Sequence, residues 1–279
     1  MAVVEALVRA NAKGDSELTI IVRRRVDSEV REFRKADTGA VSTFLNINDA
    51  GRERLIGWQT SHLAGTKGFE LEVAGKRLTL SPAAWLRTSQ FALQKMAELV
   101  KELVAPVPGV AVADIYSGSG TFALSVADDF DKVFGIEEHP RAVQDAVASA
   151  KANGLTNVLF REGKVERHLP DLQGKNIYAV IMDPPPEGCG RFVINVLAKV
   201  VRPERLIYVS QNPTSFAGEA AVLEDRGFRL TAVHPIDPAP HTSAIELVAL
   251  FESSIQGGKR RSSIAQARRL LDRIRRDKD

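Results

Sequence analysis

The chain has 279 residues, 44% apolar and 26% charged, with one cysteine and a formal net charge of +3. That length suits one large domain or two small ones, and the composition is that of an ordinary globular protein. No apolar run approaches the ~20 residues needed to span a bilayer, so no membrane partner is expected. The lone Cys189 excludes an intramolecular disulfide and any four-cysteine site, so neither a metal nor an iron–sulfur cluster is expected. The start, MAVVEALVRANAKG, lacks basic residues ahead of its short apolar stretch and carries Glu5 inside it. It does not read as a secretory signal, and a cytoplasmic location is expected.

Charge is unevenly spread. The tail 257–279 holds nine basic residues, among them Arg268 and Arg269, against three acidic ones, and the remainder is net negative. A local basic segment suits phosphate contacts, and equally a solvated helix, since Ile264, Ala267, Leu271 and Ile274 form one helical stripe.

Residues 1–80 read as a β-rich subdomain. Strands are predicted at 18–26 and 30–36 around a turn at Asp27-Ser28, then at 41–49 and 53–59. A hairpin follows over 69–82, turning at Ala74-Gly75. Trp58 and Trp85 read as core, and Arg23, Arg24 and Arg25 put at least one cation on an open face. Next comes a helix from Thr88 or Ser89, with Phe91, Leu93, Met96, Leu99, Val100 and Leu103 near the helical period and Pro106 and Pro108 closing it.

From 110 the pattern alternates strand and helix. Strands are predicted at 110–116, 132–138, 157–163, 177–186, 205–213, 228–237 and 245–252, with helices after Pro140 and through 219–227. Such alternation predicts an α/β fold with a mostly parallel, Rossmann-like sheet, ligands binding at the carboxyl ends of its strands. Asp114-Ile-Tyr-Ser-Gly-Ser-Gly-Thr follows the first of these strands, where Gly118 and Gly120 permit a tight turn close to a ligand. Glu137 ends the second, placed to accept hydrogen bonds from ribose hydroxyls. Ala123 breaks the full spacing of a nicotinamide loop, and Asp183-Pro184-Pro185-Pro186 ends the fourth. Loop, acidic residue and Asp-Pro-Pro together read as a class I methyltransferase domain over 81–256 that binds S-adenosyl-L-methionine. Asp114, Tyr116, Ser117, Gly118, Gly120, Thr121, Phe122, Glu137, Asp183 and Pro184 are the expected cofactor residues. Tyr116 and Phe122 read as walls of its cleft or as plain core.

The run from Leu78 to Glu252 resembles the tRNA and ribosomal RNA uracil-5-methyltransferases. The resemblance is carried by SPAAWLRTSQ (81–90), DIYSGSGTFAL (114–124), VFGIEEHPRAV (133–143), NGLTNV (153–158), DPPPEG (183–188), IYVSQNP (207–213) and PAPHTSAIEL (238–247). It implies an RNA substrate, tRNA or rRNA, and an RNA-facing role for the β-rich part. It also implies a thiolate that adds to carbon 6 of uracil, and a base that later removes the carbon 5 proton. Glu246 matches the base and Asp183 is retained. Gln211, however, stands in the family's Ser-Cys-Asn-Pro motif where the nucleophilic cysteine belongs, and an amide cannot add to the ring. Arg87 stands where the family presents a glutamine to the target base, and Lys164 where an Asp or Asn often faces the adenine. Cys189 is the one thiol available as a substitute, or an inert small apolar residue. His241 reads either as orienting Glu246 or touching a flipped base, or as packing its loop. An unpaired carboxylate opening an apolar strand is costly, which favours a specific partner for Glu246. Three functions stay open: an RNA methyltransferase acting on carbon 5 or another atom, a catalytically silent RNA-binding relative, and a small-molecule methyltransferase.

Overall fold

The computed structural model describes residues 3–49, 56, 57, 59–82, 84, 87 and 89–254. Trp58, Trp85, Thr88, most of the strand expected at 53–59 and the whole basic tail with Arg268 and Arg269 lie outside the described residues.

The chain opens with a four-stranded sheet in the order β1 (Val3–Ala10), β2 (Ser16–Val22), β3 (Ser42–Ile47), β4 (Gln59–Gly65). The strand expected at 30–36 is instead the end of a helix, α1 (Asp27–Phe33), and a turn; Asp27-Ser28 opens that helix. The apolar residues Val30, Phe33 and Ala36 recur every three positions, a helical and not a strand spacing. Helix wins because β2 and β3 pair in parallel, which demands a crossover, and Val30 then seals a small core of Ile20, Val22, Leu45 and Leu63. β1 and β4 were not expected: β1 is mostly exposed at the sheet edge, and QTSHLAG has few of the branched residues that mark strands.

The hairpin of β5 (Phe69–Val73) and β6 (Lys76–Leu80) turns at Ala74-Gly75, as the sequence predicts. Its inward residues Leu71, Val73, Leu78 and Leu80 join the large core beneath the second sheet, not the small one. α2 (Gln90–Val104) is capped by the Ser89 hydroxyl, which accepts from the Ala92 amide at 3.1 Å. Its buried stripe is Ala92, Leu93, Met96, Ala97, Val100 and Val104, whereas Phe91 is 80% exposed and belongs to the outer face.

The main sheet has seven strands in the order β12-β13-β11-β10-β7-β8-β9. β7 (Ala111–Ile115), β8 (Lys132–Glu137), β9 (Val158–Glu162), β10 (Ile177–Met182) and β11 (Arg205–Ser210) run parallel. β13 (Glu246–Ser253) runs antiparallel to β11 and to β12 (Phe228–Ile236). β7 and β10 are apolar and buried along their whole length apart from Asp114, as a sheet covered on both faces requires. Helices α3 (Thr121–Val126), α4 (Pro140–Ala152), α5 (Val165–His168), α6 (Gly190–Val196) and α7 (Pro213–Asp225) link the strands. α7 starts six residues before the predicted 219, because Asn212 caps it by accepting from the Thr214 and Ser215 amides. The strand order reverses between β7 and β10, which sets a crevice at their carboxyl ends.

The connector from Ser81 to Ser89 is tied to both sheets. Asp145 of α4 accepts from the Ser81 amide (2.8 Å) and hydroxyl (2.6 Å). From β1, Arg9 donates to the carbonyls of Ser81 (2.9 Å) and Ala84 (3.2 Å) while paired with Glu17 at 2.6 Å. Arg9 and Glu17 are both buried, and burial pushes the Glu17 carboxyl up against the pull of Arg9. No described helix is long and apolar enough to cross a membrane.

Candidate active site

The crevice is a cavity of about 540 Å³, within the ~300–1,000 Å³ usual for small-molecule sites. Its wall comes from five strand ends. The β7 loop supplies Tyr116, Ser117, Gly118, Ser119, Thr121 and Phe122, and β8 supplies Glu137 to His139. The turn into α5 gives Lys164 to Glu166, β10 gives Asp183 to Pro186 with Gly188 and Cys189, and β11 gives Gln211. Arg87 enters from the connector.

The β7 loop is held rigidly. Gly120 has φ +84°, and a β-carbon there would lie 2.8 Å from the Phe160 ring; one on Gly135 would lie 2.3 Å from it. Gly120 in the loop and Gly135 on β8 thus make room for Phe160 of β9, which braces the loop from behind. Glu137 locks its front. One carboxylate oxygen accepts from the Gly118 amide at 2.9 Å and the other from the His139 amide at 2.8 Å. An ionised carboxylate has about four acceptor sites, so capacity for further donors remains.

Two expected cofactor residues, Gly120 and Asp114, stand behind this wall rather than on it. Asp114 is fully buried, and accepts from the Ala123 amide at 2.8 Å, stapling β7 to α3. Its other oxygen has no hydrogen-bond partner, and burial pushes its carboxyl well up, with Asp183 and Glu137 acting in the same direction. A raised folded value means a stability contribution complete below the ordinary carboxylate value near 4 and lost as pH rises through the folded value. Asp114→Asn is therefore expected to match or exceed the wild type in urea stability at pH 8 and to lose ground towards pH 4. A gap that widens towards acid would contradict this.

Opposite the loop, Arg87 joins the two carboxylates singled out from sequence. Its terminal nitrogens donate to both oxygens of Asp183 at 2.8 Å each, and its Nε donates to Glu246 at 2.5 Å. The guanidinium is 5% exposed and lies 5.9 Å from the Phe122 ring centroid. Burial opposes its charge, but the two carboxylates more than offset this and raise its affinity for the proton. The specific partner expected for Glu246 is thus Arg87, and Glu246 itself lies behind Arg87, off the cavity wall.

Cys189 is on the wall but is no free thiolate. Its Sγ donates to Glu219 at 3.3 Å, and burial, then the Glu219 charge, push the thiol far above its ordinary range. Gln211 lines the cavity at the position the resemblance assigns to a nucleophile. His241 sits exposed at φ +69° on the loop between β12 and β13 and does not reach the cavity. Lys164 reaches the wall as expected, and Glu166 and Glu138 join it unannounced. Ser119 and Glu219 are the other residues missed. A serine between two loop glycines was there to be seen in sequence, whereas nothing local marks a glutamate 30 residues from its partner.

Residues 106–215 match the family described as a methyltransferase domain. An uncharacterised RNA methyltransferase of Caldanaerobacter subterraneus subsp. tengcongensis is 34% identical over 216 residues, covering 77% of this chain and 48% of that protein. Another, from Thermosynechococcus vestitus, is 31% identical over 217 residues, with 77% and 48% covered. The chain thus spans about half the length of these relatives. Among solved structures, the Pyrococcus abyssi tRNA (uracil-54, C5)-methyltransferase in complex with S-adenosyl-L-homocysteine superposes with a TM-score of 0.72. It is 21% identical, and the match covers 88% of this chain and 59% of that one. The likeness is one of fold, a Rossmann-like α/β methyltransferase sheet, which in this chain follows a small four-stranded sheet.

Proposed function

We propose that the chain is an S-adenosylmethionine-dependent methyltransferase acting on RNA, and that its acceptor is an atom with its own lone pair rather than carbon 5 of uracil. The residues present fit the cofactor. Ser117 and Ser119 offer buried hydroxyls with no protein partner, beside a loop braced at Gly118 and Gly120, and Glu137 retains acceptor capacity. Glu137 would hold the ribose, the Tyr116–Thr121 loop the amino-acid portion, and Lys164 to Glu166 the adenine side. Asp183 and Pro184 would lie near the methyl group. The bound cofactor supplies an electrophilic methyl on a sulfonium.

The observation that carries the acceptor reading is that the cavity's cysteine is no free thiolate: the Cys189 thiol donates to Glu219, and Gln211 lines the cavity at the position that the resemblance assigns to the nucleophile. An amine or hydroxyl needs no covalent activation: its lone pair bonds to the methyl carbon as the carbon–sulfur bond breaks, S-adenosylhomocysteine leaves, and the acceptor's proton passes to solvent. The chain's residues then act by positioning. Arg87 fixes Asp183, Glu246 fixes Arg87, and Phe122 and Pro184 give the cavity a buried apolar wall. RNA as substrate is supported by the names of the relatives and by the basic tail.

The test is to incubate the chain with methyl-labelled cofactor and unmodified tRNA or rRNA and to identify the labelled nucleoside by mass spectrometry. We expect an N- or O-methylated nucleoside, formed by Cys189→Ala within twofold of the wild-type rate. Formation of 5-methyluridine that disappears in Cys189→Ala would overturn the acceptor reading. A second reading, a catalytically silent RNA-binding relative, is favoured by one observation: Arg87 engages both oxygens of Asp183 and one of Glu246. Cofactor binding with no label transferred to any RNA would select it.

A further inference from the structure

Glu219 of α7 gathers four donors on one carboxylate. One oxygen accepts from the Gly190 amide at 2.6 Å. The other accepts from the Tyr208 hydroxyl at 2.6 Å, the Cys189 amide at 3.1 Å and the Cys189 thiol at 3.3 Å. A β-carbon on Gly188 would lie 2.6 Å from its carboxyl carbon, so the loop folds directly over the carboxylate. The same helix grips the loop a second time. The Ser215 hydroxyl (2.8 Å) and the Asn212 side-chain amide (3.1 Å) both donate to the Pro186 carbonyl. Pro184, Pro185, Pro186, Gly188 and Cys189 form one wall of the cavity. Beyond the capping of this loop, Glu219 does not touch the cavity itself.

We propose that Glu219 is the positioning residue of the cofactor wall, fixing the loop 183–190 against α7 and so setting the affinity of the cavity for an adenosyl ligand. This rests on the cofactor reading given above. The physical reason is donor-to-acceptor matching. Charge-assisted hydrogen bonds are roughly twice as strong as neutral ones, and this carboxylate accepts from the Cys189 and Gly190 amides, just past the turn that the loop closes itself from the Gly188 amide to the Pro185 carbonyl at 2.8 Å. A glutamine in its place would turn an NH₂ donor towards either the Gly190 amide or the Cys189 and Tyr208 donors, and leave at least one of them without its acceptor. Tyr208, wholly buried on β11, serves as the fourth donor and ties the loop to the central strands.

The experiment pairs amide exchange with ligand binding on the full chain. For Glu219→Gln, the Cys189 and Gly190 amides are expected to exchange at least tenfold faster by mass spectrometry. Affinity for S-adenosylhomocysteine should fall about tenfold, at a temperature well below the unfolding midpoint. Tyr208→Phe removes one donor while leaving both amides held, and should change affinity less than threefold. Should Glu219→Gln not fold, Glu219→Asp keeps the charge but shortens the reach, and is expected to shift both readouts in the same direction to a smaller extent. A variant with a lowered midpoint but unchanged exchange and affinity would overturn the proposal, as would faster exchange with affinity intact. If the wild type itself fails to bind the ligand, the cofactor reading falls. The exchange comparison then still decides whether Glu219 fixes the loop.

Discussion

Replacing Arg87 by methionine is expected to lower folding stability by about 3–5 kcal/mol, the usual cost of removing one partner from a buried ion pair. The side chain is buried, and it joins the connector to the ends of β10 and β13 through three charge-assisted bonds. Methionine fills a similar volume but leaves Asp183 and Glu246 facing each other without a cation. The cost should therefore come from the uncompensated carboxylates rather than from lost packing. Adding Asp183→Asn and Glu246→Gln to Arg87→Met is expected to recover at least half of the loss, a non-additivity that groups in direct contact show. Urea denaturation of the single and triple variants measures both. A loss below 1 kcal/mol for Arg87→Met would mean that water reaches the triad and screens it.

Glu137→Ala is expected to weaken S-adenosylhomocysteine binding about 100-fold, which corresponds to two hydrogen bonds to a charged group at roughly 1.5 kcal/mol each. The carboxylate has a double task. It holds the Gly118 and His139 amides, and so shapes the loop before any ligand arrives. It also keeps acceptor sites for ribose hydroxyls. Glu137→Gln preserves one carbonyl oxygen and places an amide opposite an N–H, so an intermediate loss of about tenfold is expected, on the same reckoning of one bond for two. Calorimetric titration with both variants resolves the two tasks. If Glu137→Ala bound within threefold of the wild type, the ribose would have to sit elsewhere in the cavity.

The parts of this molecule that were legible in the sequence are those governed by local pattern. β10 shows as an unbroken apolar run, and β7 as one interrupted only by Asp114, because both faces of the sheet are covered. The hairpin at Ala74-Gly75 shows because its alternation flanks a two-residue turn whose residues both take positive φ, +48° and +75°. The cavity wall from Tyr116 to Phe122, Glu137 and Asp183 was readable because strand ends place them whatever the rest of the chain does. What failed depended on partners distant in sequence. VREF is helical because β2 and β3 lie parallel, a fact no window around residue 30 contains. Arg87 meets Asp183 across 96 positions and Glu246 across 159, and Glu219 meets Cys189 across 30. Asp114 read as a ligand residue from its place at a strand end, yet the Ala123 amide claims it for α3. Phe91 reads with the apolar stripe, but at about 100° per residue it points away from the buried face of Ala92, Leu93, Met96, Ala97, Val100 and Val104.

Arg9 has a bearing on how such a protein can be assembled or taken apart. Its guanidinium sits in the first strand of the small sheet, yet its hydrogen bonds end on the carbonyls of Ser81 and Ala84, just ahead of Arg87. The hairpin from Phe69 to Leu80 meanwhile packs with the large core. The seam between the two sheets is therefore a knot and not a hinge, and it cannot be cut cleanly at residue 80. A scaffold designer who wished to exchange the small sheet for another recognition module would have to transplant the Arg9–Glu17 pair along with the graft, or the acceptor end of the cavity would lose its mooring from one side.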